Sequence, residues 1–277
     1  MRPTREIIML KAPVKSLSLL LLIISSTAWA DLDPASPTVF ITGANRGIGL
    51  EFVKQYAALG WNVIATTRKP EKAEQLQALV TTHEKIVIEQ LDVTDFARID
   101  ELAAKYTEQT IDVLLSNAGI TPKYKSAFRR VSGVNWDIAR NSMAVNAIAP
   151  LKLAQAFMAA VAASEQKKMI IISSKGGSFG LSPKMPIMYS YRASKAALNM
   201  YMYTLSFETP KKGITLILLS PGQVDTMEDS DQFKGIKIPN MIETNESVEK
   251  MLKVIDGLTP EDNGKFLTYE DGSVLPW

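Results

Sequence analysis

The sequence predicts an α/β fold: a parallel sheet, doubly wound, with helices on both faces. Two observations predict it. From Thr38 onward short apolar runs alternate with amphipathic stretches, and regular alternation of that kind builds a parallel sheet through helical crossovers. The runs are also apolar throughout, as in Val113-Leu114-Leu115 and Met169-Ile170-Ile171-Ile172. A strand needs that pattern when both of its faces are buried.

The first strand is expected over 38–42, ending in a glycine-rich turn. A helix over 47–59 follows, because Ile48, Phe52, Tyr56 and Leu59 share one helical face, and Gly60 is a natural stop. Residues 62–66 are β-branched and apolar and read as the second strand. Helix 71–80, strand 86–91, helix 97–106 and strand 111–115 come next. A long helix lies within 136–163, then strand 169–173, helix 191–208, strand 215–219, helix 247–256 and a last short strand over 265–268. No linker, repeat or low-complexity segment interrupts 38–277, so one domain is the simplest organisation.

Composition removes several chemistries. The 277 residues are 46% hydrophobic, enough for a full core, and carry a net charge of +2 with mixed signs. No basic stripe points to nucleic acid. Cysteine is absent, which excludes disulfides, thiolate catalysis and cysteine-held metals. His83 is the only histidine, so neither an ordinary zinc site nor a serine–histidine triad can be assembled. It stands in the polar stretch Thr81-Thr82-His83-Glu84-Lys85 and reads as a solvated loop residue. No metal is expected. Acid–base work near neutral pH falls to Tyr, Lys, Asp or Glu.

The amino-terminal region reads as a secretory signal peptide over 1–30. Arg2, Arg5, Lys11 and Lys15 precede an apolar run over 17–24, and Ala28-Trp29-Ala30 supplies the small-residue cleavage pattern before Asp31. The run is short for a bilayer span, and 31–37 would be a brief leader. Export to a periplasm or the exterior follows; a start codon placed too early would leave the protein cytoplasmic.

Function begins at the first turn. Thr42-Gly43-Ala44-Asn45-Arg46-Gly47-Ile48-Gly49 sets three glycines between a strand and a helix. Glycine lets a pyrophosphate approach main-chain N–H groups, and the helix N-terminus attracts the anion. This is the setting of a Rossmann-type dinucleotide site. A site selective for NAD places an acid at the end of the second strand. Here Thr66-Thr67-Arg68-Lys69 has none. Arg46 and Arg68 are suited to a 2′-phosphate, so NADP(H) is the expected cofactor, with NAD(H) still possible.

Tyr191 and Lys195 stand four apart, on one face of a helix. A free phenol titrates near about 10, and a neighbouring ammonium lowers that value toward useful pH. Ser173-Ser174 and Asn117-Ala118-Gly119 each follow a strand, at the edge where such sheets place their sites. Asn146, within a helix, is placed to hold a water leading from Lys195 to solvent.

With these residues in view, the chain resembles the short-chain dehydrogenase/reductase family over 38–277. The shared motifs are the glycine turn, Leu91-Asp92-Val93-Thr94, Ser116-Asn117-Ala118-Gly119, Val145-Asn146, Ile172-Ser173-Ser174, Tyr191-x-x-x-Lys195 and Pro221-Gly222-Gln223-Val224-Asp225-Thr226. The ending from Gly264 to Trp277 looks like the C-factor-like and sniffer-like carbonyl reductases. The resemblance implies an NADP-dependent enzyme acting on a small or medium carbonyl or alcohol. Tyr191 would be its general acid, Ser174 would polarise the carbonyl, and Lys195 would bind the nicotinamide ribose and lower the Tyr191 pKa. Asn146 would complete a proton relay. Gly43, Asn45, Arg46, Gly47, Ile48, Gly49 and Arg68 would hold the phosphates. Asp92 and Val93 would bracket the adenine, and Asn117, Ala118 and Gly119 would line the cleft. Pro221, Gly222, Val224 and Thr226 would hold the nicotinamide end.

Three departures from the family stand out. Ser116 replaces an Asn, the leader is unusual, and the family's usual serine-to-tyrosine interval of thirteen is met by Ser178, whereas Ser174 lies seventeen away. Ser174 is preferred because it ends a strand, and Ser178 stays open. The substrate loop should run over 227–243. Apolar residues after Lys195, among them Met200, Tyr203 and Phe207, fit either a homodimer face or a crowded core. Two rivals share the fold: a non-catalytic dinucleotide sensor, which needs none of the catalytic residues, and an extended epimerase, which needs a longer chain.

Overall fold

The structure is a computed structural model and describes residues 32–121, 130–224 and 241–277. The expected signal peptide, Thr226 and all but the last three residues of the 227–243 loop lie outside the described residues.

Seven strands form one sheet: β1 Thr38–Thr42, β2 Asn62–Thr67, β3 Ile86–Gln90, β4 Val113–Ser116, β5 Lys168–Ile172, β6 Thr215–Ser220 and β7 Phe266–Thr268. Their order is β3-β2-β1-β4-β5-β6-β7. Every neighbouring pair is parallel. The doubly wound α/β expectation is borne out. β1 pairs with both β2 and β4, so the chain reverses its direction of travel across the sheet beside β1. That reversal opens a crevice at the carboxyl edge, where ligands of such sheets bind.

Alternate residues of each strand serve opposite layers. Val39 and Ile41 of β1 pack with Phe52 and Tyr56 of helix α1 (Gly47–Ala58) and with Val248 and Met251 of helix α7 (Thr244–Asp256). Phe40 points the other way, to Phe157 at a ring separation of 4.5 Å. That second layer holds α3 (Phe96–Lys105), α5 (Ala149–Ala163) and α6 (Tyr189–Leu205). A shorter helix, α2 (Glu74–Val80), anchors through Leu76.

The long helix expected within 136–163 is present as Trp136–Ala163, with a π turn inside it. α4 (Trp136–Met143) runs into a π turn, Ala144–Ile148, before α5 begins. The joined segment is apolar and long enough to cross a membrane by composition alone. Its core face, however, buries Leu153, Ala154, Phe157 and Val161 against the sheet.

Residues 32–37 are tied to the sheet edge. Asn62 Nδ2 donates to the carbonyls of Asp33 and Ser36 at 2.8 and 2.9 Å, and Lys85 pairs with Asp33 at 2.7 Å. His83 is half-buried in the turn before β3, more enclosed than a solvated loop residue.

Candidate active site

The carboxyl ends of β1, β4, β5 and β6 lie side by side. The segments that leave them are therefore neighbours too: the glycine turn, Asn117–Gly119, Ser173-Ser174 and Pro221–Val224. In sequence they are spread from Gly43 to Val224, but the sheet sets them along one edge.

The glycine turn is built by close backbone contact. Gly43 has φ +69°, and a Cβ there would lie 2.9 Å from Ala118 Cα. A Cβ on Gly49 would lie 2.2 Å from the Gly43 carbonyl oxygen, so only glycine allows α1 to start so near β1. Asn117 locks the turn from the next strand: its Nδ2 donates to the carbonyls of Thr42 and Gly43 at 3.0 and 3.2 Å. In return Thr42 Oγ1 accepts from the N–H groups of Asn117 and Ala118, each at 3.0 Å. The Asn117 side chain thus supports the turn. Thr42 was missed by sequence reasoning as a functional residue; its position directly before Gly43 was the available signal.

α1 has no acidic residue in its first turn and no side-chain cap on its N-terminus. Arg46 at its start and Arg68 just past β2 are both exposed. Together these suit a phosphate-bearing dinucleotide. At the end of β3, partial burial pushes the Asp92 carboxyl up. Hydrogen bonds from Thr94 N–H (2.9 Å) and Oγ1 (2.7 Å), with the Arg68 charge, outweigh that and hold it below the usual carboxylate range. Val93 and Ala118 line a narrow cleft together with Ser116, Val145 and Ala149.

The chemistry-bearing residues meet beside this turn. Ser174 follows β5, and its Oγ accepts from Gly176 N–H at 3.0 Å, starting a short 3-10 turn, Lys175–Gly177. Tyr191 and Lys195 project from the first turns of α6. Lys195 is buried, and its Nζ donates to the Ile172 carbonyl at 2.8 Å, at the end of the strand that leads to Ser174. Burial brings the Lys195 ammonium down to about 8.

Burial pushes the Tyr191 phenol above its ordinary value, while a hydrogen bond with Ser174 works in the opposite direction. In the protein alone this direction is opposite to the expected depression. Burial shields both Tyr191 and Lys195 from water, and both then favour their neutral forms.

Asn146 is buried within the π turn. Its Oδ1 accepts from Ile120 N–H at 2.8 Å, and its Nδ2 donates to the Ile120 carbonyl (2.9 Å) and Ser194 Oγ (3.0 Å). Ser194 Oγ donates in turn to the Tyr191 carbonyl at 2.8 Å. The amide therefore pins the loop after β4 to α6, and both of its N–H donors are committed. Ser194, fully buried, is the second residue that sequence reasoning left without a role.

Ser178 separates clearly from Ser174. It is buried, its Oγ donates to the Pro276 carbonyl at 2.7 Å, and the same oxygen accepts from Leu181 N–H at 3.0 Å. Ser174, half-buried and beside Tyr191, is the hydroxyl turned to the candidate site. On the far side of the crevice, Gly222 (φ +84°) presses against the Tyr269 ring, and Val224 bridges Ile242. Among the described residues, no three His, Cys, Asp or Glu side chains cluster as metal ligands.

Comparison with known proteins agrees with this geometry. The family model for short chain dehydrogenase matches residues 37–236. An uncharacterised oxidoreductase of Schizosaccharomyces pombe is 34% identical over 251 residues, covering 86% of this chain and 97% of that one. A 1-hydroxy-2-glutathionyl-2-methyl-3-butene dehydrogenase of Rhodococcus is 31% identical, covering 87% and 99%. Among solved structures, a carbonyl reductase from chicken fatty liver with NADPH bound superposes with a TM-score of 0.77 at 35% identity, covering 87% of this chain and 99% of that one. The carbonyl reductase Sniffer of Drosophila melanogaster gives 0.76 at 29% identity, covering 87% and 100%.

Proposed function

The chain belongs to the short-chain dehydrogenase/reductase family and is an oxidoreductase, and on that footing we propose that it interconverts a carbonyl and its alcohol with NADP(H), using Tyr191 as proton donor. The observation that carries the proposal is the convergence of Ser174, Tyr191 and Lys195 at the sheet edge beside the glycine turn. The solved chicken relative bound to NADPH supports the choice of cofactor.

The nicotinamide supplies or takes up the hydride when bound. The protein's own residues do the rest. Main-chain N–H groups of the Gly43–Gly49 turn would hold the pyrophosphate, and Arg46 and Arg68 would receive the 2′-phosphate. Asp92 and Val93 would flank the adenine, and Pro221, Gly222 and Val224 would hold the opposite end. Ser174 Oγ donates to the substrate oxygen and holds it against the Tyr191 hydroxyl. As negative charge builds on that oxygen, Tyr191 delivers its proton. Lys195, with one N–H committed to Ile172, keeps two for ribose hydroxyls. Its ammonium then favours the phenolate left behind. A relay past Asn146 would run along the π turn, whose five-residue register takes carbonyls out of the ordinary helical ladder.

The test is NADPH oxidation by the full chain over a panel of aldehydes, ketones and quinones. Tyr191→Phe is expected to lower kcat by about 10²–10⁴-fold, the worth of a positioned general acid, with NADPH affinity unchanged. Full turnover in Tyr191→Phe would reject the assignment. Tight NADPH binding with no carbonyl reduced would favour a dinucleotide sensor.

A further inference from the structure

We infer that Ser178, through its bond to the segment 274–277, is a positioning residue that holds the Ser174 hydroxyl in register with Tyr191. The inference rests on the reaction proposed above. Ser174 depends on the 3-10 turn that follows it, and that turn is short and carries two glycines. A Cβ on Gly177 would lie 2.7 Å from the Lys195 carbonyl carbon, so the turn leans directly on the α6 backbone at the lysine itself. The opposite side is fixed by 274–277.

Three contacts fix it. Ser178 Oγ donates to the Pro276 carbonyl at 2.7 Å, and Gly180 N–H donates to the Trp277 carbonyl at 3.0 Å. A Cβ on Gly180 would stand 3.3 Å from Pro276 Cβ, which makes the approach close as well as polar. Ser182 Oγ then closes the loop on itself by donating to the Gly176 carbonyl at 2.9 Å.

The segment is itself held by the fold. Leu275 N–H donates to the Phe266 carbonyl at 2.7 Å, and Val274 bridges Leu267 antiparallel, adding a last rung to β7. The Trp277 ring stacks on Phe266 at 5.7 Å and meets Tyr203 of α6 edge-on at 5.4 Å. The strap therefore links the sheet, the helix that carries Tyr191 and Lys195, and the loop that carries Ser174. A displacement of about 1 Å at a reacting group is enough to cost up to about a hundredfold in rate, so a strap of this kind has a catalytic consequence although none of its atoms touches substrate.

The experiment compares wild type with Ser178→Ala, which removes the donor, and with a deletion of 276–277, which removes both acceptors. Each is made alone and in a Ser174→Ala background. The variants are expected to lose about tenfold in kcat with NADPH affinity unchanged. In Ser174→Ala the further loss should shrink to less than about twofold, because residues acting through one group are non-additive. Amide exchange over 176–181 should quicken in both. An equal loss in the two backgrounds, unchanged kcat, or unchanged exchange would overturn the strap and leave the proposed reaction standing. Absence of carbonyl turnover in wild type would overturn the reaction, and the strap with it.

Discussion

On the reading proposed above, cofactor choice turns on two exposed side chains. Arg46 and Arg68 flank the turn, and no carboxylate stands at the end of β2 to hold a ribose diol. A charge-assisted hydrogen bond contributes about 1.5–3 kcal/mol, so Arg68→Ala is expected to weaken NADPH binding by about 10- to 100-fold and to leave NADH nearly untouched. Calorimetric titration with both cofactors checks this, and the effect should fade with salt because the groups are exposed. Equal weakening of both would mean that the arginine holds the protein surface and not the 2′-phosphate. At this scale the sequence was informative where one residue carries the chemistry alone. Tyr191 and Lys195 are four apart on any helix, and the missing acid after Thr67 is visible by inspection. It was silent where a partner is remote. Nothing near Ser178 reveals that its hydroxyl is taken by a carbonyl 98 residues away. Spacing favours Ser178 and the strand end favours Ser174, and only the bond to Pro276 separates the two. The side-chain partners of Asn146, Ile120 and Ser194, are equally remote in sequence.

At the scale of elements, the strands were legible because a doubly buried strand must be apolar throughout. Their ends were less so, since a carboxyl edge is polar by function. The π turn within 136–163 was hidden, because one extra residue in a register barely disturbs apolar periodicity. It matters to the site: the irregular turn presents Asn146 to the loop after β4 and to α6. The other hidden feature is the fit of the 3-10 turn on α6. Gly177→Ala forces a methyl to within 2.8 Å of Lys195 Cβ and 2.7 Å of its carbonyl carbon. Overpacking against backbone costs about 1–3 kcal/mol, and relief comes only by moving Lys195 or Ser174. The variant is expected to melt several degrees lower, at about 2–4 °C per kcal/mol, and to lose turnover as well. Gly257→Ala, where the nearest neighbour would be at an ordinary 3.5 Å, serves as the control in the same melting series. Equal melting temperatures for the two variants would show that the turn yields without cost.

For the whole molecule, burying the site next to the sheet has a consequence for stability against pH. Burial lowers the Lys195 ammonium to about 8, and it lowers Lys168 as well. A depressed lysine contributes stability above its unfolded value, about 10.5, and that contribution is lost as pH falls through the folded value. Between pH 8 and 10.5 the unfolded chain binds the extra proton, so stability rises with pH across that window. The full span for Lys195 alone is about 3 kcal/mol. Burial acts in the opposite sense on the phenols of Tyr56, Tyr106 and Tyr191, which are all raised. Their contribution is intact below the unfolded value of about 10 and is lost above it. The two trends cross, so the melting temperature is expected to climb from pH 8, peak near pH 10 and then fall. Lys195→Met removes the largest part of the climb and leaves the fall at high pH. Calorimetry in matched buffers from pH 7 to 11 reads both limbs. A flat or falling trace from 8 to 10 in the parent protein, or the same slope in Lys195→Met, would mean that the ammonium is hydrated in solution and that the site beside Ile172 is open to water.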